Sequence, residues 1–224
     1  MAAFSAAVDA GYGIELDLQL TADEKALVFH DYDLSRLTSE SGLVRNRRAS
    51  DFATIALLGG TTGPPVLEEV LAAVDGKVPL LIELKDQDGA LGEDVGALET
   101  ATAQALTGYT GPVALMSFNP HSVAALQTLA PHIPRGLVTG YVDQKLVGSG
   151  EYCDALNRIA EYERVGACFV SHFHRELDVP RVKDLRQSGA KILCWTVRSQ
   201  EEEAAARAFA DNVTFEGYLP GFPS

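Results

Sequence analysis

Residues 14–20, IELDLQL, alternate strictly between apolar and polar. Ile14, Leu16, Leu18 and Leu20 fall on one face, and Glu15, Asp17 and Gln19 on the other, which predicts a strand with one buried face. Before it, AAFSAAVDA (residues 2–10) has helical composition, with Gly11 and Gly13 as stop signals. After it, TADEK reads as a turn and ALVFHD as a second short strand. Residues 33–63 are polar and contain glycine, and read as a long excursion. PPVLEEVLAAV predicts a helix with proline at its start. From there strands and helices alternate. VPLLIELK, PVALMSF, RGLVTG, ACFVSH, KILCWTV and VTFEGYLP predict strands, and helices are expected near 92–107, 120–130, 151–164, 180–188 and 200–210.

Strands that alternate with helices of about ten residues imply parallel βαβ units. So many repeats in 224 residues favour an α/β fold of the TIM (β/α)8-barrel type over an open doubly wound sheet. No GxGxxG follows the first strand, which weakens a dinucleotide-binding reading. At 46% hydrophobic residues the chain can bury a full core, and no linker or repeat divides it, so residues 1–224 are expected to form one domain.

Charge changes the picture of possible partners. A net charge of -13 would repel nucleic acid, so no nucleic-acid partner is expected. A small anionic substrate requires local positive charge or a metal ion. The three cysteines, Cys153, Cys168 and Cys194, have no CxxC spacing, and two of them sit in apolar strand-like runs. Reduced packing residues in a cytosolic protein are expected. No apolar run approaches the ~20 residues of a membrane span and no signal peptide opens the chain, so a cytoplasmic location without a membrane span is expected.

In a barrel of this type chemistry gathers at the C-terminal ends of the strands. Glu15 and Asp17 share a face there, roughly 6.5 Å apart along the strand. Glu83 and Lys85 in LLIELK repeat the i, i+2 arrangement, with Ile82 and Leu84 turned toward the helices, and His30 ends LVFH. Three carboxylates in a half-enclosed mouth either raise a pKa or hold a cation. Oxygen ligands alone suit Mg2+ or Ca2+ better than zinc. Lys85 would add a point charge for a phosphate oxygen, and His30 a proton donor or acceptor near neutral pH. The plainer alternatives stay open on spacing alone: a Glu-x-Asp pair also fits a solvated edge, Lys85 could simply neutralise Glu83, and a single histidine is often structural. His172 and His174 fit rim or helix-cap positions, His121 a helix start and His132 a loop.

Residues 2–38, AAFSAAVDAGYGIELDLQLTADEKALVFHDYDLSRLT, resemble the N-terminal block of the glycerophosphodiester phosphodiesterase family. PVLEEVL, LLIELK, MSFNP and CWTV resemble its later blocks in the same order, so the likeness covers nearly the whole chain. It implies a TIM barrel with one divalent cation, Mg2+ or Ca2+. By position it assigns Glu15, Asp17 and Glu83 as metal ligands, His30 as one of two catalytic histidines and Lys85 as the phosphate-side lysine. It assigns Trp195 to the wall of the substrate pocket, and Phe118 adds apolar surface there. The 33–63 excursion would lie over the barrel mouth.

The family opens with a strand ending in His-Arg-Gly, then Glu-Asn-Thr at a helix start, whereas this chain begins at Met1 inside what corresponds to that helix. The resemblance therefore implies an N-terminally truncated barrel without its first strand, with an apolar gap between the second and last strands. The ending VTFEGYLPGFPS also departs from the more polar TDYP-like ending of the family. The expected activity is metal-dependent hydrolysis of a small glycerophosphodiester to glycerol 3-phosphate and an alcohol. Turnover is expected to be weak or absent in this chain, because one catalytic histidine is lacking. The alternative is a catalytically impaired barrel that binds phosphometabolites. A related phospholipase-type activity is disfavoured by the acidic balance and the lack of a basic amphipathic helix.

Overall fold

The structure is a computed structural model that describes residues 1–221; the last three residues of the VTFEGYLPGFPS ending lie outside the described residues. Helix α1 (Ala2–Ala10) stops at Gly11, whose φ of 77° is left-handed, so that its N–H turns back to the Val8 carbonyl. The chain then enters β1 (Ile14–Leu20), a tight turn and β2 (Ala26–Val28). Thr21 holds that turn: its hydroxyl donates to Asp23 and accepts the Lys25 N–H. Helix α2 (Leu67–Val74) follows, and then strand β3 (Leu80–Leu84). The later elements are α3 (Ala97–Ala105), β4 (Val113–Ser117), α4 (Pro120–Leu129), β5 (Arg135–Thr139), α5 (Gln144–Val147) and α6 (Gly150–Asn157). Strand β6 (Phe169–Phe173), α7 (Pro180–Gln187), β7 (Lys191–Val197), α8 (Gln200–Ala206) and β8 (Asn212–Phe215) complete the order.

One eight-stranded sheet runs β2-β1-β3-β4-β5-β6-β7-β8. Every neighbouring pair is parallel except β1 and β2, which form an antiparallel hairpin. The sheet curls until its ends approach: Tyr12, just before β1, packs edge-on against Phe215 of β8 with ring centroids 5.4 Å apart. The Tyr12 hydroxyl also donates to the Pro220 carbonyl. No ladder joins β8 to β1 among the described residues, so the curl ends in an open seam.

The strand alternation sorts side chains into two layers. Leu16, Leu18, Ile82 and Leu84 point outward and pack with Leu67, Val70 and Leu71 of α2 and Leu98 of α3. A second outer cluster joins Leu137, Val170, Ile192 and Cys194 to Val182 and Leu185 of α7. Inside the curl, Met116, Val138 and Phe169 pack with Leu81, Phe118, Leu193 and Trp195. Gly136 is needed in that layer, because a Cβ there would lie 2.3 Å from the Phe169 ring.

Several expected boundaries are corrected. Strand β2 covers only Ala26–Val28, so Phe29 and His30 lie beyond it. The prolines before α2 stay outside the helix. Val66 is its N-cap, with its N–H bonded to Glu69, and the Pro65 carbonyl instead accepts the Val28 N–H. The helix expected over 151–164 ends at Asn157, because Ile159 takes a left-handed φ of 51°. The one-turn helix α5 carried no hydrophobic period to announce it. Residues 33–63 contain three short 3-10 turns, at 34–36, 44–46 and 49–54. They are not merely polar: Leu34, Val44, Phe52 and Ile55 bury themselves with Leu27 and Phe29 in a separate small core. All three cysteines are free, but Cys168 is exposed, and the buried ones are Cys153 and Cys194. Cys168 precedes β6 rather than lying in it.

Candidate active site

The site begins with the register between β1 and β3. Asp17 sits directly beside Glu83, and Leu18 beside Leu84. Because the leucines are drawn outward into the helix layer, Glu15, Asp17 and Glu83 must point to the inner face. One carboxylate oxygen of each lies within 4.8 Å of those of the other two. Lys85 follows β3 and reaches back over the group. Its Nζ is 2.8 Å from Asp17 Oδ1 and 2.5 Å from Glu83 Oε1, with its side chain 14% exposed.

Three carboxylates thus face one ammonium. Burial, then the charges of Asp17 and Glu83, push the Glu15 carboxyl up to about 8, with Lys85 opposing. Burial also raises Glu83, although Lys85 pulls it the other way. Burial works against the Lys85 ammonium, but attraction to Glu83 and Asp17 outweighs it and raises its pKa. Glu15 therefore takes up a proton on folding between its ordinary value of 4.5 and about 8. The stability this contributes is present at low pH and is lost as pH rises through that window. In EDTA, the denaturation midpoint is expected to fall between about pH 5 and about pH 8, and saturating divalent cation should remove the fall. A midpoint that rises over that interval in EDTA would contradict the arrangement.

His30 stands next to this group. The Phe29 N–H bonds to the Asp17 carbonyl, and Gln19 Nε2 donates to the His30 carbonyl at 3.1 Å. Gln19 is only 2% exposed, and its own carbonyl oxygen accepts from Gln87, which also donates to the Lys85 carbonyl. Gln19 therefore ties the His30 turn to the end of β3. Its signal in the sequence was its phase, the same as that of Glu15 and Asp17. Asp31 bonds the His30 ring and Arg36 bonds Asp31, and no periodicity announced either contact.

The aromatic residues gather separately, with Phe118 just past β4, Phe173 at the end of β6 and Trp195 within β7. Trp195 packs against Phe118 at 5.5 Å and Phe173 at 5.4 Å, and its Nε1 donates to the Ser171 carbonyl. Asn119 caps α4 by accepting the His121 N–H and also donates to the buried Asp86, fixing the loop after β3. The other histidines do not join the carboxylates. His172, placed by its sequence at the rim, is instead buried on the helix side. It lies in register with Cys194, and its Nδ1 is 2.7 Å from Thr139 Oγ1. Burial lowers its pKa to about 4. His174 packs on Phe173, and His121 lies near Tyr152.

The donor set suits a hard divalent cation. All three candidate ligands are carboxylates, they converge, and Lys85 alone leaves their combined charge uncompensated.

Comparison with known proteins places the chain in a family and supports its fold. The glycerophosphoryl diester phosphodiesterase family matches residues 1–214. YhdW of Bacillus subtilis is 30% identical over 219 residues, covering 94% of this chain and 82% of that protein. A glycerophosphodiester phosphodiesterase of Caldanaerobacter subterraneus is 26% identical over 223 residues, covering 95% of this chain and 86% of that one. Among solved structures, an Oleispira antarctica phosphodiesterase in complex with the product sn-glycerol-3-phosphate superposes with a TM-score of 0.79 at 21% identity, over 96% of this chain and 85% of that one. The Thermotoga maritima glycerophosphodiester phosphodiesterase gives a TM-score of 0.71 at 22% identity, over 96% of this chain and 86% of that one. With a family match that spans all eight strands except the last residue of β8, this chain belongs to the glycerophosphoryl diester phosphodiesterase family.

Proposed function

We propose that this protein hydrolyses glycerophosphodiesters to glycerol 3-phosphate and an alcohol, with one Mg2+ or Ca2+ held by Glu15, Asp17 and Glu83. The observation that carries this reading is the convergence of three carboxylates beneath a single lysine at one end of the sheet. When bound, the ion supplies a Lewis acid that stabilises charge on the phosphoryl oxygens. Lys85 places its ammonium against a phosphate oxygen as a point charge. His30 exchanges a proton with an oxygen at the scissile bond. Trp195 and Phe118 form an apolar wall for the glycerol carbons. Residues 33–63 cap the pocket: Arg45 from this segment donates to the Gln87 carbonyl, beside the end of β3.

Turnover by these residues is slow in this reading, because among the described residues no second histidine stands beside His30 to return its proton. His172 faces the helices, His174 and His121 are engaged by aromatic rings, and His132 is an exposed loop residue. The same observation favours a second reading, a barrel that binds phosphometabolites without cleaving them. Glycerophosphocholine supplied with Mg2+ or Ca2+ is expected to release glycerol 3-phosphate slowly, and in EDTA not at all. Calorimetric binding of glycerol 3-phosphate with no cleavage in either ion would favour the second reading. Neither cleavage nor binding would sink both.

A further inference from the structure

His30 Nδ1 lies 2.6 Å from Asp31 Oδ1. Arg36 grips the same carboxylate with two nitrogens: Nε is 2.5 Å from Asp31 Oδ2 and Nη2 is 2.6 Å from Oδ1. The placement of Arg36 is built rather than accidental. It ends the turn Leu34–Arg36, which Asp33 caps by accepting the Ser35 N–H. Asp33 also accepts the Gly42 N–H, and Leu34 anchors the turn with 0% exposure. From the other side, Gln19 holds the His30 carbonyl. The imidazole is therefore fixed at its backbone and at one ring nitrogen.

We propose that Asp31 and Arg36 are positioning residues that lock neutral His30 in the tautomer with hydrogen on Nδ1, leaving the Nε2 lone pair as the proton acceptor. This rests on the reading of His30 as the proton-transfer group. A carboxylate can only accept, so the ring nitrogen facing it must donate. Paired to the guanidinium fork, Asp31 stays ionised: the Arg36 hydrogen bonds, aided by His30, hold its carboxyl down to about 2. Two parallel N–H···O bonds also fix the plane of the carboxylate, which a single contact would not. An exposed ion pair is usually worth little, but a bidentate one beside a ring it orients acts through geometry rather than stability. Among the described residues neither side chain hydrogen-bonds to Glu15, Asp17 or Glu83, and in this proposal both act through His30.

The test reads the tautomer directly. In protein labelled with 15N in its histidine rings, long-range proton–nitrogen spectra distinguish hydrogen on Nδ1 from hydrogen on Nε2. His30 is assigned by its loss in His30→Gln. The wild type is expected to show His30 with hydrogen on Nδ1, and Asp31→Ala to shift it toward the Nε2-protonated form. Arg36→Ala should give a partial shift, and Arg36→Lys should restore less than the wild type, because an ammonium cannot fork. In turnover, Asp31→Ala should lower kcat by about 10–100-fold, the range for residues that orient a working histidine, with KM little changed. Wild-type His30 carrying hydrogen on Nε2, or a tautomer indifferent to both Asp31 and Arg36, would overturn the proposal. Should Asp31→Ala not fold, the Arg36 variants decide it. If His30→Ala leaves turnover intact, the catalytic reading of His30 fails, and the spectra still report whether the clamp exists.

Discussion

Replacing Lys85 by methionine is expected to destabilise the metal-free protein by about 3 kcal/mol, and added Mg2+ or Ca2+ is expected to recover most of that loss. Methionine keeps an unbranched apolar stem but removes the charge that lies 2.8 Å from Asp17 and 2.5 Å from Glu83. Three converging carboxylates would then have no counter-charge. Removing one partner of a buried pair costs about 3–5 kcal/mol, and the lower end applies because Asp17 remains 18% exposed. For a chain of this size each kcal/mol moves the melting temperature by about 2–4 °C, so the melt in EDTA should drop by about 6–12 °C. The ion takes over the compensation that Lys85 provided. If the carboxylates were only an ion-pair network, the cation would do nothing for the variant, and the drop would persist in saturating Mg2+ and Ca2+.

His30→Ala is expected to lower turnover by about 10²–10⁴-fold, while calorimetric binding of Mg2+ or Ca2+ stays within a factor of about two. His30 makes its ring contact with Asp31 and its backbone contact with Gln19, and neither contact involves the side-chain oxygens of Glu15, Asp17 or Glu83. Its side chain is 58% exposed, so truncation leaves no buried void and folding should be unaffected. Equal turnover in the variant would remove His30 from the chemistry. A parallel loss of cation binding would mean that the histidine supports the acidic cluster instead.

The barrel wall and the acidic trio were legible because both rest on one short-range rule, alternation along a strand. In IELDLQL and LLIEL that rule places Leu18 and Leu84 outward and Glu15, Asp17 and Glu83 inward, and the parallel register completes the trio. Contacts that cross between a strand end and a loop obey no such period. The Arg36 grip on Asp31 depends on a turn whose anchor, Leu34, is buried by residues far along the chain, Val44 and Phe52 among them. His172 shows the same limit from the other side. Its place at a strand end suggested the rim, but its phase matches Val170, so it belongs to the helix layer. Cys168 was misjudged because an apolar run does not say where the strand begins, and β6 starts one residue later. The shortness of β2 follows from a tertiary event, the departure of Phe29 into the small core.

That small core of Leu27, Phe29, Leu34, Val44, Phe52 and Ile55 gives the 33–63 segment its own internal support, apart from the packing of the barrel wall. A lobe held together in this way is modular. Its exposed positions are free to diverge without disturbing the packing behind Glu15, Asp17 and Glu83, so the lobe can change while the acidic cluster stays as it is.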